Sequence, residues 1–370
     1  MRLVARPHLH STAQYWLIRA LGIALLAIAV AGVGFVIGSR AGVGQQPDRW
    51  GELHALVERS GGAVVYSEFG ESADTIWAAN PSDPEDRIAI GLAAHTPGYG
   101  VVPSLSPNGK LLAYTAANGR DHADLWLLDV ATGDAQRLTV DVDLSAPVWT
   151  NESDAVVVQQ SSGGEGMPES AALLRIDLAG GVSTLASADA ALYPIEFAPD
   201  GMLYYASLSA SGTDLHITNG VGSDTIAKLS ASIARDWDLS PDGKRLAYLS
   251  PRAAGGYVAT VLDTTTGESG KAASSDGPEF SPIWVPDGSL TVGRLSERLD
   301  GDGSSASASG FDVPLSWSPN GANLIVRRFE GTSSADPGPS WLWVIAATGQ
   351  QHRLSDISDI AIAGWLVPSP

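Results

Sequence analysis

The sequence predicts an all-β fold, a β-propeller of four-stranded blades, and three observations carry that expectation. A short apolar strand followed by a Pro-Asp/Asn-Gly turn recurs at Pro107-Asn108-Gly109, Pro199-Asp200-Gly201, Pro241-Asp242-Gly243, Pro286-Asp287-Gly288 and Pro319-Asn320-Gly321. With Thr150 of the worn copy Pro147-Val148-Trp149-Thr150-Asn151 standing in for the proline, the copies are 43, 49, 42, 45 and 33 residues apart. Steps of roughly 40–50 residues that each hold several strands mark a propeller or a related array. Finally, the two ends of the repeat region each hold part of a blade.

The blades read as follows. In the clearest copy, Val101–Ser106 is a first strand and Pro107-Asn108-Gly109 a tight turn. Lys110–Ala116, Asp124–Val130 and Ala135–Thr139 follow as second, third and fourth strands. Asn-Gly and Asp-Gly suit such turns because these residues tolerate positive φ. Ala63–Phe69, Asp74–Ala79 and Arg87–Leu92 look like second to fourth strands without a first, and Ile360–Val367 supplies a first strand with nothing after it. Pairing them would close the ring and remove two open edges. First strands near residues 105, 148, 197, 239, 284, 317 and 365 suggest seven blades. The copy after Pro282 is degenerate, running into the strand-poor stretch Asp300–Gly310, so six blades remain an alternative.

The N-terminus is different in kind. Ala20–Gly38 is 19 residues without charge, flanked by Arg19 and Arg40. That length spans a hydrocarbon layer of about 30 Å as a helix. Residues 17–39 are therefore expected to be a transmembrane signal-anchor, with residues 1–16 cytoplasmic, 40–61 a stalk and 62–370 the propeller. The arginines at 2, 6 and 19 favour the N-terminus inside and the propeller outside the cytoplasmic membrane. A cleaved signal peptide is the alternative, although its apolar core is usually shorter. Within the stalk, Asp48–Ser60 has the pattern of a short helix with Trp50, Leu53, Leu56 and Val57 on one face.

Composition narrows the function. Four of the 22 basic residues precede residue 48 and all 41 acids follow residue 47, so the exported part carries 18 bases and a charge of −23. Such a surface repels polyphosphate and argues against nucleic-acid binding. There is no cysteine, which excludes disulfides, thiolate metal sites and cysteine nucleophiles. No Gly-x-Ser-x-Gly occurs, and Gly267-Glu268-Ser269-Gly270 lacks the spacing of a nucleophile elbow. The seven histidines never fall in pairs at helical metal spacing.

At this point the chain resembles the TolB-like, or PD40, subfamily of WD40-like β-propellers. The matching residues are Ser316–Gly321, Ser240–Lys244 and Ser106–Lys110, the third strand Asp124–Gly133, and the tails Arg137-Leu138-Thr139 and Arg353-Leu354-Ser355. The resemblance covers about residues 62–368 and implies the fold. It leaves function open, since the family includes periplasmic proteins of cell-envelope complexes and propellers joined to serine peptidases.

Because strands alternate in direction, the connectors from fourth to first strand share a face with those from second to third. The first group carries Asp141, Asp143, Asp189, Asp236, Asp276, Glu279, Asp312, Asp356 and Asp359. The second carries Asp121, Glu165, Glu169, Asp300, Asp302 and Asp336. One mouth of the ring is thus expected to be acidic and to favour a basic peptide or a cation. Asp300-Gly301-Asp302-Gly303-Ser304 begins like a calcium loop, but Phe311 stands where an EF-hand needs its bidentate Glu. No cofactor is otherwise expected. The reading is a membrane-anchored, extracytoplasmic, non-enzymatic module that binds or scaffolds a protein or peptide. The alternative is a hydrolase or lyase with a carboxylate or calcium site in the acidic mouth.

Overall fold

The computed structural model describes residues 49–118, 122–162, 170–272 and 277–368. The expected cytoplasmic stretch 1–16 and signal-anchor 17–39 lie outside these residues. Among the described residues, no helix is long and apolar enough to cross a membrane.

Helix α1 (Arg49–Ser60) opens the described chain and leads into β1 (Ala63–Glu68), β2 (Ala73–Asn80) and β3 (Asp83–Ala94). Blade 2 holds β4 (Val102–Leu105), β5 (Leu111–Ala117), β6 (Ala123–Asp129) and β7 (Ala135–Val142). Blade 3 holds β8 (Val148–Trp149), β9 (Ala155–Ser162), β10 (Ser170–Asp177) and β11 (Val182–Ala188). Blade 4 holds β12 (Ala191–Phe197), β13 (Leu203–Ser209), β14 (Gly212–Thr218) and β15 (Ser223–Ser230). Blade 5 holds β16 (Arg235–Leu239), β17 (Arg245–Pro251), β18 (Tyr257–Asp263) and β19 (Ser269–Lys271). The next position is split into two two-stranded sheets, β20 (Glu279–Trp284) with β21 (Leu290–Arg294) and β22 (Glu297–Leu299) with β23 (Ser305–Ser307). The last blade has β24 (Phe311–Trp317), β25 (Asn323–Phe329), β26 (Ser340–Ala346) and β27 (Gln351–Arg353), before β28 (Ile360–Leu366).

Six sheets have four antiparallel strands, and β28 is the first strand of blade 1. It pairs with β1 from Ala63↔Leu366 to Glu68↔Ile360, so the two ends of the propeller meet in one sheet. The degenerate seventh copy is not a full blade. Its second hairpin bonds to neither β20 nor β21 as a ladder, which leaves six four-stranded blades around the ring.

First strands neighbour one another around the axis. Indole N–H groups tie them together: Trp149 donates to the Ser104 carbonyl (3.0 Å), Trp284 to the Asp238 carbonyl (3.1 Å) and Trp365 to Ser316 Oγ (3.0 Å). The turn after each first strand explains the repeat. Gly109 N–H donates to Ser106 O and Gly243 N–H to Ser240 O, while the turn carboxylate or amide accepts the N–H two residues on (Lys110 to Asn108, Lys244 to Asp242). These acids therefore serve their own turns. In the worn copy, Ser153 N–H donates to Thr150 O, and Ser153 takes the glycine's role at φ 58°. Thr150 thus occupies the place of the repeat serine, not of the proline, one residue away from the sequence alignment.

Helix α1 belongs to the propeller's packing. Leu53, Leu56 and Val57 are buried in one cluster with Val65, Ile76, Leu112 and Leu128. Trp50, expected on that face, is instead 46% exposed. Arg49 Nη1 donates to the carbonyls of Ile90 and Thr132, both at 2.9 Å. Gly133 (φ 76°) admits it, since a Cβ there would lie 2.0 Å from that nitrogen.

Candidate functional site

The acids expected at one mouth occupy five different environments. Asp141 and Asp189 come together in a groove of about 780 Å³ between blades 2 and 3, beside His122, Gln160, Ser162 and Ser170. His122 lies in a second-to-third connector and Asp189 in a fourth-to-first connector, the two groups expected to share a face, while Asp141, Gln160, Ser162 and Ser170 stand at or near the ends of β7, β9 and β10. Among the described residues, no lysine or arginine lines the groove. Among the described residues neither Asp141 nor Asp189 has an ion-pair partner. Asp141 sits in the left-handed region at φ 58°, a conformation that Asp and Asn tolerate best after Gly. Its carbonyl accepts the Gln160 amide at 2.7 Å. Asp143, next to the groove, is engaged by the Ser161 amide (3.1 Å) and hydroxyl (2.7 Å).

Asp356 and Asp359 lie in two other cavities, each of mixed charge. The first, about 500 Å³, holds the Arg87–Glu68 pair (2.6 Å) and Arg353, which is 3.5 Å from Asp356. The second, about 240 Å³, holds Asp359 with Arg327. Burial depresses the Arg327 guanidinium, and Asp359 opposes that effect. Arg327 donates to the carbonyls of Ser358 and Ile360.

Glu279 and Asp312 are not at an open mouth. Both are buried, at 1% and 0% exposure. Glu279 accepts from Arg294 Nε (3.1 Å) and the Ala259 amide (2.8 Å). Asp312 receives a two-point contact from Arg328 (2.9 and 2.8 Å), one from Arg298 (2.8 Å) and one from the Leu299 amide (3.1 Å). Asp276 lies outside the described residues, as do Asp121, Glu165 and Glu169.

Asp300 and Asp302 form the turn of the β22–β23 hairpin. Gly303 N–H donates to the Asp300 carbonyl at 2.9 Å, and the Ser304 amide donates to Asp302 Oδ1 at 2.9 Å. That serine holds the Asp302 carboxyl below its usual range. Among the described residues, no three His, Asp or Glu gather as a metal cluster would require.

The fifth environment is the inner ring, and two of its acids escaped notice in the sequence. Glu196 on β12 and Asp238 on β16 take the same repeat position, three residues before the proline, where other copies have Ser104, Ile283 and Ser316. Burial pushes Glu196 up to about 8, the nearby Asp238 charge adds to the rise, and the Leu239 amide opposes it. Burial likewise pushes Asp238 up to about 6, against a 2.6 Å hydrogen bond from the Trp284 amide. Glu196 nevertheless has solvent-exposed surface. That exposure moderates the effect of burial at Glu196 more than at half-buried Asp238. Asp236, at φ 54° on the same strand, is also raised, first by burial, with Arg235 and the Ser281 amide in opposition. The signal in the sequence was the charge itself, at a position otherwise small, hydroxylic or apolar.

A serine–histidine contact occurs between Ser207 Oγ and His216 Nε2 (2.8 Å), but Thr225 rather than a carboxylate meets Nδ1 (3.1 Å). Neither residue lines any of the cavities described.

Several solved structures share this form. TolB from Acinetobacter baumannii superposes with a TM-score of 0.52 at 16% identity, over 82% of this chain and 66% of TolB. The fold is a TolB-like β-propeller. The propeller domain of the Trilobed protease from Pyrococcus furiosus gives a TM-score of 0.54 at 14% identity, over 80% of this chain and 95% of that domain. That domain has an open velcro topology, whereas here β28 and β1 join the two ends. The acylaminoacyl peptidase of Pyrococcus horikoshii gives 0.53 at 12% identity, and this chain spans 54% of its length. Identities this low show the fold alone. No family model and no curated protein matches the sequence.

Proposed function

We propose that the protein is a non-enzymatic binding module that takes a basic segment of a protein partner on its connector face. The observation that carries this reading is the groove between blades 2 and 3, which Asp141 and Asp189 line together with no lysine or arginine among the described lining residues. Unpaired carboxylates at a polar groove attract lysine and arginine side chains and set their register, and the serines and Gln160 around them offer donors and acceptors to a peptide backbone. Fluorescence anisotropy with a labelled Lys/Arg-rich decapeptide tests it. Binding should weaken with salt and fall in an Asp141→Asn/Asp189→Lys double variant. Equal binding of a Glu-rich control peptide would sink the reading.

The apolar segment 17–39 supports placing this module on the outer side of the cytoplasmic membrane, with residues 1–16 inside. Protease protection of the propeller in sealed inside-out vesicles is the expected result. Its digestion there would refute that placement.

A second reading, an enzyme acting through carboxylates in the ring, draws on Glu196 and Asp238, whose ionisations are pushed apart by their surroundings. Such divergence is the pattern of an acid and a base. A hydrolase or lyase activity that disappears in Glu196→Gln would favour it over the binding module.

A further inference from the structure

We propose that the cavity between blade 1 and the last blade binds a free α-amino acid, its carboxylate on Arg87 and its ammonium on Glu68. The space, about 500 Å³, is walled by Glu68, Pro84, Glu85 and Arg87 on one side and by residues 353–357 on the other. That is a volume typical of small-molecule sites. It is separate from the groove between blades 2 and 3, so the two sites can be tested independently.

The way Arg87 and Glu68 are paired points to a ligand. Arginine frequently holds a carboxylate through two parallel bonds, as Arg328 does with both oxygens of Asp312 (2.9 and 2.8 Å). Arg87 instead uses one nitrogen, Nη1, for both Glu68 Oε1 (2.6 Å) and Tyr66 Oη (3.0 Å). Ser355 donates to the same Glu68 oxygen from the opposite wall. Among the described residues, nothing bonds Arg87 Nε or Nη2, and nothing bonds Glu68 Oε2.

Each partner therefore keeps half of its bonding capacity, and the kept halves complement an amino acid. The Nε–Nη2 edge is a planar two-donor fork that matches a carboxylate. Trp77 covers one face of the guanidinium at 4.2 Å. The 31% of the Arg87 side chain that stays open is left to the other face and to that edge. Glu68 is only 8% exposed, and a carboxylate oxygen so poorly hydrated gains from an N–H donor.

The opposite wall is held in place. Arg353 donates from Nε to Ser355 O (3.0 Å) and from Nη2 to Asp356 O (3.2 Å), and it stacks 4.4 Å over Trp341. Such preorganisation lowers the ordering cost of binding. Three lining acids against two arginines leave one negative charge in excess, which disfavours a second carboxylate on the ligand. Pro84 and Ile357 offer apolar surface to an aliphatic side chain. A neutral aliphatic amino acid meets all of these conditions. It would also bridge blade 1 to the last blade, beside the sheet in which β28 and β1 close the ring.

Calorimetric titration and thermal unfolding of the full-length protein with L-leucine test the site. L-Leucine should bind one to one and raise the unfolding midpoint by roughly 2–4 °C. N-Acetyl-L-leucine lacks the ammonium and L-leucinamide the carboxylate, and each should bind at least about tenfold more weakly, as should L-glutamate. Arg87→Lys keeps a charge beside Glu68 but loses the fork, and should weaken L-leucine at least about tenfold. The Asp141→Asn/Asp189→Lys variant should bind L-leucine as wild type does; loss of binding there would assign the ligand to the groove and overturn the proposal. Absence of heat and of any shift at about 10 mM L-leucine, well above a millimolar dissociation constant, would overturn it too. So would undiminished affinity in folded Arg87→Lys. If that variant does not fold, the three leucine forms on the wild-type protein decide, and equal binding of all three rejects the site.

Discussion

Asp312 and Asp189 stand at the same kind of place, where the chain enters a first strand, and their fates are opposite. Around the split sheet, Glu279 and Asp312 are buried and held by Arg294, Arg298 and Arg328. Around blades 2 to 4, Asp141 and Asp189 stay open, and among the described residues Arg137 and Arg175 are spent on Asp124 and Asp154. The difference lies in what each region lacks. The hairpin of β22 and β23 has no ladder to β21, so Asp312 fastens it to the last blade through Arg298 and the Leu299 amide, and reaches β25 through Arg328. Blades 2 and 3 have complete sheets that need no such clamp, and their connector acids remain available.

The sharpest way to break this comparison is Asp312→Ala. It strands two guanidinium groups and a backbone amide around a fully buried site. Loss of one partner from a buried ion pair costs about 3–5 kcal/mol, read as a lowered urea midpoint. A change under about 1 kcal/mol would show that the hairpin holds by packing alone. Glu279→Gln is a milder probe, because the amide still accepts from Ala259. It removes the charge beside Arg294 and should cost about 1–3 kcal/mol by the same measurement.

The open pair should respond in the other sense. Asp189→Lys and Asp141→Asn should change stability by no more than about 0.5 kcal/mol, as surface substitutions do. Asn is the choice at residue 141 because it accepts the positive φ there. Together they should weaken a basic peptide at least about tenfold, a loss of about 1.4 kcal/mol in binding. A large stability loss without a binding loss would put these acids in the same class as Asp312.

The repeat made the fold legible. The Pro-Asp/Asn-Gly turns, the even strand spacing and the split blade at the two ends all follow from local chemistry, and β28 pairs with β1 as the patterns imply. The incomplete copy was visible too, as the strand-poor stretch after Asp300. The sites were less legible, for a physical reason. Whether a connector acid is free depends on arginines that arrive from 14 to 16 residues away across strands, as at Asp312, and on which side of a blade each faces. The slip at Thr150 came from the same source. Its hydrogen bond to Ser153, not residue identity, fixes its place in the repeat. Glu196 and Asp238 were in plain view within the repeat phrase, yet their meaning required knowing that the two phrases lie side by side.

The smallest effect is expected at the loop that most resembles a calcium site. Asp302 has one oxygen committed to the Ser304 amide, and Asp300 has one committed to the Gly301 amide at 2.8 Å. Calcium needs six to eight oxygens, and no third acid joins these two among the described residues. Millimolar calcium should therefore leave the thermal midpoint of the full-length protein where chelator leaves it. A specific ligand at 100 times its dissociation constant would instead stabilise the fold by about 2.7 kcal/mol. Asp302→Ala should lower the thermal midpoint only slightly, through the loss of one turn hydrogen bond, whether or not calcium is present. A calcium-dependent shift that Asp302→Ala abolishes would move this hairpin from the fastened half of the ring to the open half.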